Sequence, residues 1–361
     1  MLALETPALL LHADAVERNL AHMAARARTL GVALRPHAKT HKCPTLARRQ
    51  LALGARGITV ATLAEADAFA AAGVEDMVWA FPIDPSHLPR ARRIAERARL
   101  GVVTDDLATA RALSGSELSV WLKVDCGYGR AGVDPHSPYA LEVAGELARE
   151  RGLTFAGILS HSGHAYHTRS RAEAAAVAES ERAVMVAFAE RLRAAGMPVR
   201  GVSVGSTPAM AAVERLDGIT EARPGNYVFY DRTMVLIGCC GEHDVGVTVL
   251  ATVVSHQPGA DHIVVNAGAL ALSKDTGPAH LGVPVTYGAV RGDAGLTLVS
   301  LSQEHGVIRA AAPGVLEGQY PVGAQLEIVP NHSCLTVAHF DHYDVVREGE
   351  VVDRWAISRA R

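Results

Sequence analysis

Between residues 32 and 225 eight short β-branched runs alternate with Ala/Arg/Glu-rich stretches of helical spacing. The runs are VALRPHA, GITVAT, DMVWAF, LGVVTD, LSVWLKVD, TFAGILSH, VRGVSVG and GITEARPG. Parallel strands cannot be joined by a tight hairpin, so strands separated by helices predict a parallel sheet with helical crossovers. Eight such units predict a closed (β/α)8 barrel rather than an open doubly wound sheet. Several of the intervening stretches end in Gly, the usual helix C-cap.

After about residue 235 the texture changes. VGVTVLATVVSHQ, DHIVVNAGALAL, LTLVSLSQEHGVIRA, AQLEIVPNHSCLTVAHF and YDVVREGEVVDRWAIS are strand-like, divided by turn residues and without a helical stretch. The expected organisation is a barrel over 1–235 and a mostly antiparallel β domain over 236–361. The first few residues are candidates to pair with the β domain.

A net charge of -3 gives no general attraction for polyanions, so no nucleic-acid partner is expected. No apolar run approaches the ~20 residues that span a bilayer, and the N-terminus lacks the features of a signal peptide. Five cysteines in 361 residues make no disulfide framework. These features predict a cytoplasmic protein with no membrane partner. Only four lysines occur, Lys39, Lys42, Lys123 and Lys274, and two of them share the segment RPHAKTHK.

Catalytic groups of such barrels come from the C-terminal ends of the strands. Polar clusters fall there: His37 to Lys42, Asp125 to Arg130, Ser160 to His167, Gly205 to Thr207 and Arg223 to Asn226. A lysine desolvated at a barrel mouth becomes a nucleophile for a carbonyl, so Lys39 reads as a Schiff-base lysine; the alternative is a loop lysine with its head in water. Gly205, Ser206 and Thr207 at a helix start suit a phosphate, with Gly225 and Asn226 one strand later; the alternative is an ordinary capped helix. In PNHSC, an extended strand would turn His332 and Cys334 to one face as two ligands of a zinc-like ion. The alternative there is a core cysteine beside a satisfied histidine, the role expected of Cys43, Cys126, Cys239 and Cys240. His161, His164, Tyr166 and His167 suggest cofactor contact or acid–base work. Gln303, Glu304 and His305 lie on the β domain, and His339, Asp341 and His342 read as surface.

Taken in order, RPHAKTHK, KVDCGYGRAGV, GILSHSGHAYH, GSTPA, EARPGNYVFYD, SQEHG and PNHSC resemble the metal-activated branch of the fold type III pyridoxal-phosphate enzymes. That branch holds D-threonine aldolase and eukaryotic-type D-serine dehydratase, relatives of alanine racemase. The resemblance spans nearly the whole chain. It implies pyridoxal 5'-phosphate on Lys39, its phosphate held by Ser206, Thr207, Gly225 and Asn226, and contacts from Tyr166 and Arg130. It also implies a divalent metal on His332 and Cys334, zinc in preference to manganese, and a homodimer. Aldolases of the group more often carry Asp at the second ligand position, so Cys334 leans toward the dehydratases. The expected reaction is dehydration of a D-serine- or D-3-hydroxyaspartate-type substrate to a keto acid and ammonia. The alternative is D-threonine aldolase chemistry, giving glycine and an aldehyde, with His161 or His305 as the base. An amino-acid racemase or a non-catalytic cofactor carrier are the remaining readings.

Overall fold

The computed structural model describes residues 2–312, 315–316 and 318–359. Strand β1 (Ala8–His12) and helix α1 (Ala13–Thr29) come first. The eight β-branched runs then form eight strands: β2 (Ala33–Leu34), β3 (Ile58–Val60), β4 (Asp76–Pro82), β5 (Arg99–Thr104), β6 (Ser119–Lys123), β7 (Thr154–Leu159), β8 (Gly201–Val204) and β9 (Glu221–Ala222). Their order is β2-β9-β8-β7-β6-β5-β4-β3, with every neighbouring pair parallel. A bridge between His37 and Thr59 joins the two ends, with Thr59 N–H donating to Pro36 O at 2.7 Å, and so closes the ring. β2 and β9 are only two residues long because Pro36 and Pro224 follow closely and have no N–H for the ladder.

The crossovers are α2 (Pro44–Ala52), α3 (Leu63–Ala71), α4 (Leu88–Ala95), α5 (Leu107–Ala112), α6 (Pro138–Arg149), α7 (Arg171–Ala194) and α8 (Thr207–Ala212). Thr62, Asp106, Ser137, Ser170 and Ser206 cap α3, α5, α6, α7 and α8 through side-chain oxygens. Each such cap contributes about 1 kcal/mol. Inside the barrel, Val78, Val103, Trp121 and Leu159 form an apolar cluster. A polar column runs beside it. Arg35 pairs with Asp76 and, at 3.0 Å, with Glu221; Glu221 accepts from Ser203 Oγ at 2.7 Å; Arg223 in turn donates to Ser203. Glu221 and Arg223 share the inward face because side chains alternate along a strand.

The second sheet has nine strands, β1 with β10 (Val247–Ser255), β11 (His262–Val265), β12 (Gly288–Val290), β13 (Leu296–Leu301), β14 (Gly306–Ala310), β15 (Gln325–Pro330), β16 (His342–Arg347) and β17 (Glu350–Ala356). Its order is β11-β14-β13-β12-β15-β10-β1-β16-β17, and β11 also pairs with β10, which closes six of the strands into a second ring. All pairs are antiparallel except β1 with β16. β1 is buried on both faces, which is why ALLLH is apolar nearly throughout rather than alternating.

The compact units are residues 21–225 and, together, 1–20 with 226–359, so the division falls ten residues before the expected 235/236. The reason is α9 (Arg232–Leu236), which is anchored in the β unit by the Thr233 hydroxyl donating to Asn331 O at 2.8 Å. Short helices α10 (Ala269–Leu272) and α11 (Ser333–Val337) also occur there, contrary to the helix-free expectation; a single turn is too short to leave a periodic signature. Among the described residues no helix is long and apolar enough to cross a membrane.

Candidate active site

RPHAKTHK leaves β2 and passes through one 3-10 turn, Ala38–Thr40, capped by His37. Its basic groups separate by what already holds them. His41 is a core residue: Nδ1 accepts Cys43 N–H at 3.0 Å, so Nε2–H donates to Gln50 Oε1 at 3.2 Å, and burial brings its pKa down to about 4. Lys42 is ion-paired to the buried Glu65. Lys39, half-buried, has no hydrogen bond or ion pair to its ammonium among the described residues. Of the two lysines in the segment, Lys39 is the one with an uncommitted amine. The segment ARPG lies tight against this loop: His37 N–H donates to Pro224 O at 2.9 Å. A Cβ at Gly225 would come within 2.9 Å of His37 O, so glycine is required there.

Further cationic groups surround the loop. Lys123, at the end of β6, is 5% exposed, and burial, then Arg223 and Arg130, lower its pKa to about 8. Arg223 is buried across Ser203 Oγ and Ser160 O, and burial lowers it to about 10. His161 Nδ1 faces Gly205 O at 3.1 Å. A carbonyl only accepts, so the proton sits on Nδ1 and Nε2 carries the lone pair. Burial, followed by Lys39 and Lys123, holds His161 well below its ordinary pKa; burial and Lys39 do the same to His37. Both imidazoles are neutral at pH 7.

Besides Glu221, a second buried carboxylate answers this charge. Glu181, midway along α7, accepts from Ser160 Oγ at 2.7 Å, Ser162 Oγ at 2.6 Å, Gly205 N–H at 3.3 Å and Cys126 Sγ at 3.8 Å. It thereby pins both serines that flank His161 and the residue before Ser206. Ser206 and Thr207 are buried at the start of α8, where Ser206 Oγ caps Ala209 N–H at 3.4 Å and lies 3.4 Å from Ser162 Oγ. Arg130 is exposed, its guanidinium 5.1 Å above the Tyr128 ring; Tyr128 stacks on His164 and meets His161 edge-on. Tyr166 is half-buried in the turn Gly163–His167. Asp125 shapes the loop, its Oδ1 accepting from Gly127, Tyr128 and Gly129.

In the β unit, PNHSC departs from the expected strand. β15 ends at Pro330, His332 is the N-cap of α11 and Cys334 sits in its first turn, so the two do not share a strand face. Ser333 N–H donates to the buried Asp231 at 3.0 Å, which turns the chain into the helix. The pair is nevertheless brought together, since Cys334 hydrogen-bonds His332. Behind it, Asp275 Oδ2 lies 3.1 Å from His332 Nδ1. Burial opposes charge on His332, but Asp275 and Cys334 raise its pKa overall. A carboxylate on Nδ1 leaves Nε2 as the ligating nitrogen, the usual support behind a metal-binding histidine. Among the described residues no three His, Cys, Asp or Glu side chains form a metal cage, so His332 and Cys334 stand as an open pair.

Asn226 spends its amide on Asp231 at 2.7 Å and Ser333 at 3.1 Å, leaving Oδ1 as a buried acceptor without a partner. His305 is exposed on the turn between β13 and β14, and Cys239 and Cys240, expected in the core, are only half-buried. Sequence reasoning missed Lys123, Tyr128, Glu181 and Asp275. Lys123 had a signal, as one of four lysines and at a strand end; the others did not.

The family model for the alanine racemase N-terminal domain matches residues 11–233, and the serine dehydratase domain model matches residues 246–346. The chain is 40% identical to D-threo-3-hydroxyaspartate dehydratase from Delftia sp. (strain HT23), over 98% of this chain and 97% of that one. It is 35% identical to D-threonine aldolase from Arthrobacter sp, over 98% and 92%. The solved structure of the Delftia dehydratase superimposes with a TM-score of 0.94 at 39% identity, covering 98% of each chain. Alanine racemase from Clostridium difficile, at 12% identity and a TM-score of 0.71, shares the fold. Such membership implies a pyridoxal-phosphate cofactor, and Lys39 and the cationic pocket around it fit one: an uncommitted amine beside Lys123, Arg130 and Arg223. The chain belongs to the alanine racemase-like lyases, in the branch of D-serine dehydratase and D-threonine aldolase.

Proposed function

We propose that the protein is a pyridoxal-phosphate- and divalent-metal-dependent lyase of D-β-hydroxy amino acids, acting chiefly as a dehydratase that yields a keto acid and ammonia. The observation that carries this reading is the His332–Cys334 pair with Asp275 behind His332 in the β unit, taken together with an uncommitted Lys39 in the barrel unit. Similarity to a D-threo-3-hydroxyaspartate dehydratase over the whole chain supports the same class.

Pyridoxal phosphate, when bound, acts as an electron sink for charge developing at the substrate's Cα. Lys39 would hold it covalently; Ser206, Thr207, Gly225 and the start of the Asn226 turn would hold its phosphate, with Tyr166 and Arg130 as further contacts. A divalent ion on His332 and Cys334, zinc in preference to manganese on these ligands, supplies Lewis acidity toward an oxygen. Lys39 Nζ removes the α-proton, and hydroxide leaves from Cβ. The enamine product hydrolyses in water to the keto acid and ammonia, so the water lost is regained. His161 keeps its proton on Nδ1 through Gly205 and presents a basic Nε2, while Arg223 and Lys123 keep the pocket cationic. That lone pair also suits an aldolase, in which His161 Nε2, or alternatively His305, removes the β-hydroxyl proton and the products are glycine and an aldehyde. A cytoplasmic homodimer completes the proposal.

The test is to offer D-serine, D-threonine and D-3-hydroxyaspartate with and without EDTA and to assay keto acid, glycine and aldehyde. Keto acid as the main product, lost on metal removal and restored by zinc or manganese, is the expected result. Glycine with aldehyde would overturn dehydration, and activity indifferent to thorough chelation would overturn the metal.

A further inference from the structure

The opposite end of the barrel holds a cavity of about 260 Å³. Its wall includes Arg35, Arg56, Asp76, Arg99, Trp121 and Arg200, near the N-terminal ends of the strands. Four guanidiniums face one carboxylate. Asp76 is shared by Arg35 and, at 3.4 Å, Arg99, and Arg35 also serves Glu221. Among the described residues no carboxylate pairs with Arg56 or Arg200. The wall therefore carries an excess of fixed positive charge that no pH in the physiological range removes.

A second observation adds an available donor. The chain has three tryptophans. Trp79 N–H donates to Ala61 O at 3.0 Å and Trp355 N–H to Asp353 Oδ2 at 2.7 Å. Trp121 is 7% exposed and lines the cavity, yet its N–H has no acceptor among the described residues. That N–H is not sealed off by the surrounding protein, so it is open as a donor on the cavity side. The indole is also given its place by two glycines: a Cβ at Gly201 would lie 2.5 Å from the ring, and one at Gly101 3.1 Å from Nε1.

We propose that this cavity is an anion-binding site, distinct from the catalytic end, for a small ligand bearing two or more oxyanion oxygens. Arginine forks match carboxylate and phosphate oxygens in pairs, and Trp121 N–H supplies a donor at the floor. The proposal is independent of the lyase reading.

The test uses the enzyme loaded with pyridoxal phosphate, so that the cofactor's own phosphate site is filled. Calorimetric titration at low ionic strength is run with inorganic pyrophosphate and, in a second arm, tricarballylate. Saturable binding of one equivalent per chain is expected, with Kd below about 1 mM. It should weaken at least about ten-fold in Arg56→Ser/Arg200→Ser, since charged hydrogen bonds are lost, and several-fold in Trp121→Phe. Arg56 and Arg200 are exposed, so the double variant should keep wild-type turnover. Pyrophosphate alone would assign a phosphate-bearing ligand, tricarballylate alone a polycarboxylate, and either supports the site. No saturable binding of either up to about 10 mM, or binding unchanged in the double variant, overturns it.

Discussion

At its C-terminal end the barrel gathers Lys39, Lys123, His37 and His161; the cavity at its N-terminal end is lined by four arginines and neither lysine nor histidine. Both ends are cationic, but they differ in what burial does to the charge. At the mouth, burial and mutual repulsion lower the pKa of Lys123 to about 8 and hold both histidines neutral at pH 7, so the charge there depends on protonation. At the floor the cations stay charged at any working pH, which suits holding an anion and not transferring a proton. A barrel core thus separates proton chemistry from fixed charge, one at each rim.

Lys39→Ala should break this contrast most deeply. Turnover should fall by at least about 10³-fold and the visible absorbance of bound cofactor should vanish, whereas Lys42→Ala, whose amine is paired to Glu65, should keep that absorbance. If Lys39→Ala keeps it, the mouth has no privileged amine. Glu221→Ala strikes between the ends, taking from Arg35 its partner at 3.0 Å and from Ser203 the acceptor that orients it toward Arg223. Chemical denaturation should record a loss of about 3–5 kcal/mol, well above that for any rim residue.

Lys123 sharpens the comparison through pH. Its folded pKa of about 8 lies below the 10.5 of an ordinary lysine, so between those values the unfolded chain holds the extra proton and stability rises with pH. Urea unfolding of the cofactor-free protein should climb by about 3 kcal/mol across that window, and Lys123→Met should flatten the rise. A wild-type profile that is already flat there would mean Lys123 is not desolvated. The smallest effect belongs to the floor: Arg99→Ser removes an exposed pair with Asp76 and should cost under about 1 kcal/mol, with turnover unchanged.

The eight strands were readable because each is a β-branched run bounded by helix caps, and Lys39 because two of four lysines crowd one strand end. Glu181 was hidden by its surroundings: within AVAESERAV it looks like any solvent-facing glutamate, and only the packing of α7 buries it among Ser160, Ser162 and Gly205. Asp275 is 57 residues from His332, beyond any local spacing rule. The α11 turn was misread because Leu335 to Val337 are strand formers by composition, while the hydrogen bond from Ser333 to Asp231 that sets the helix comes from far along the chain.

The place of β1 bears on how the polypeptide comes to be finished. Leu10 pairs with Thr248 on one side and Asp344 on the other. This strand leaves the ribosome well before either of its neighbours has been made. Until then it is an apolar segment with an unpaired backbone, the kind that seeks wrong partners. Sheet assembly in that unit is therefore a late event, and the time between synthesis of ALLLH and of its neighbours is when the nascent chain most needs protection.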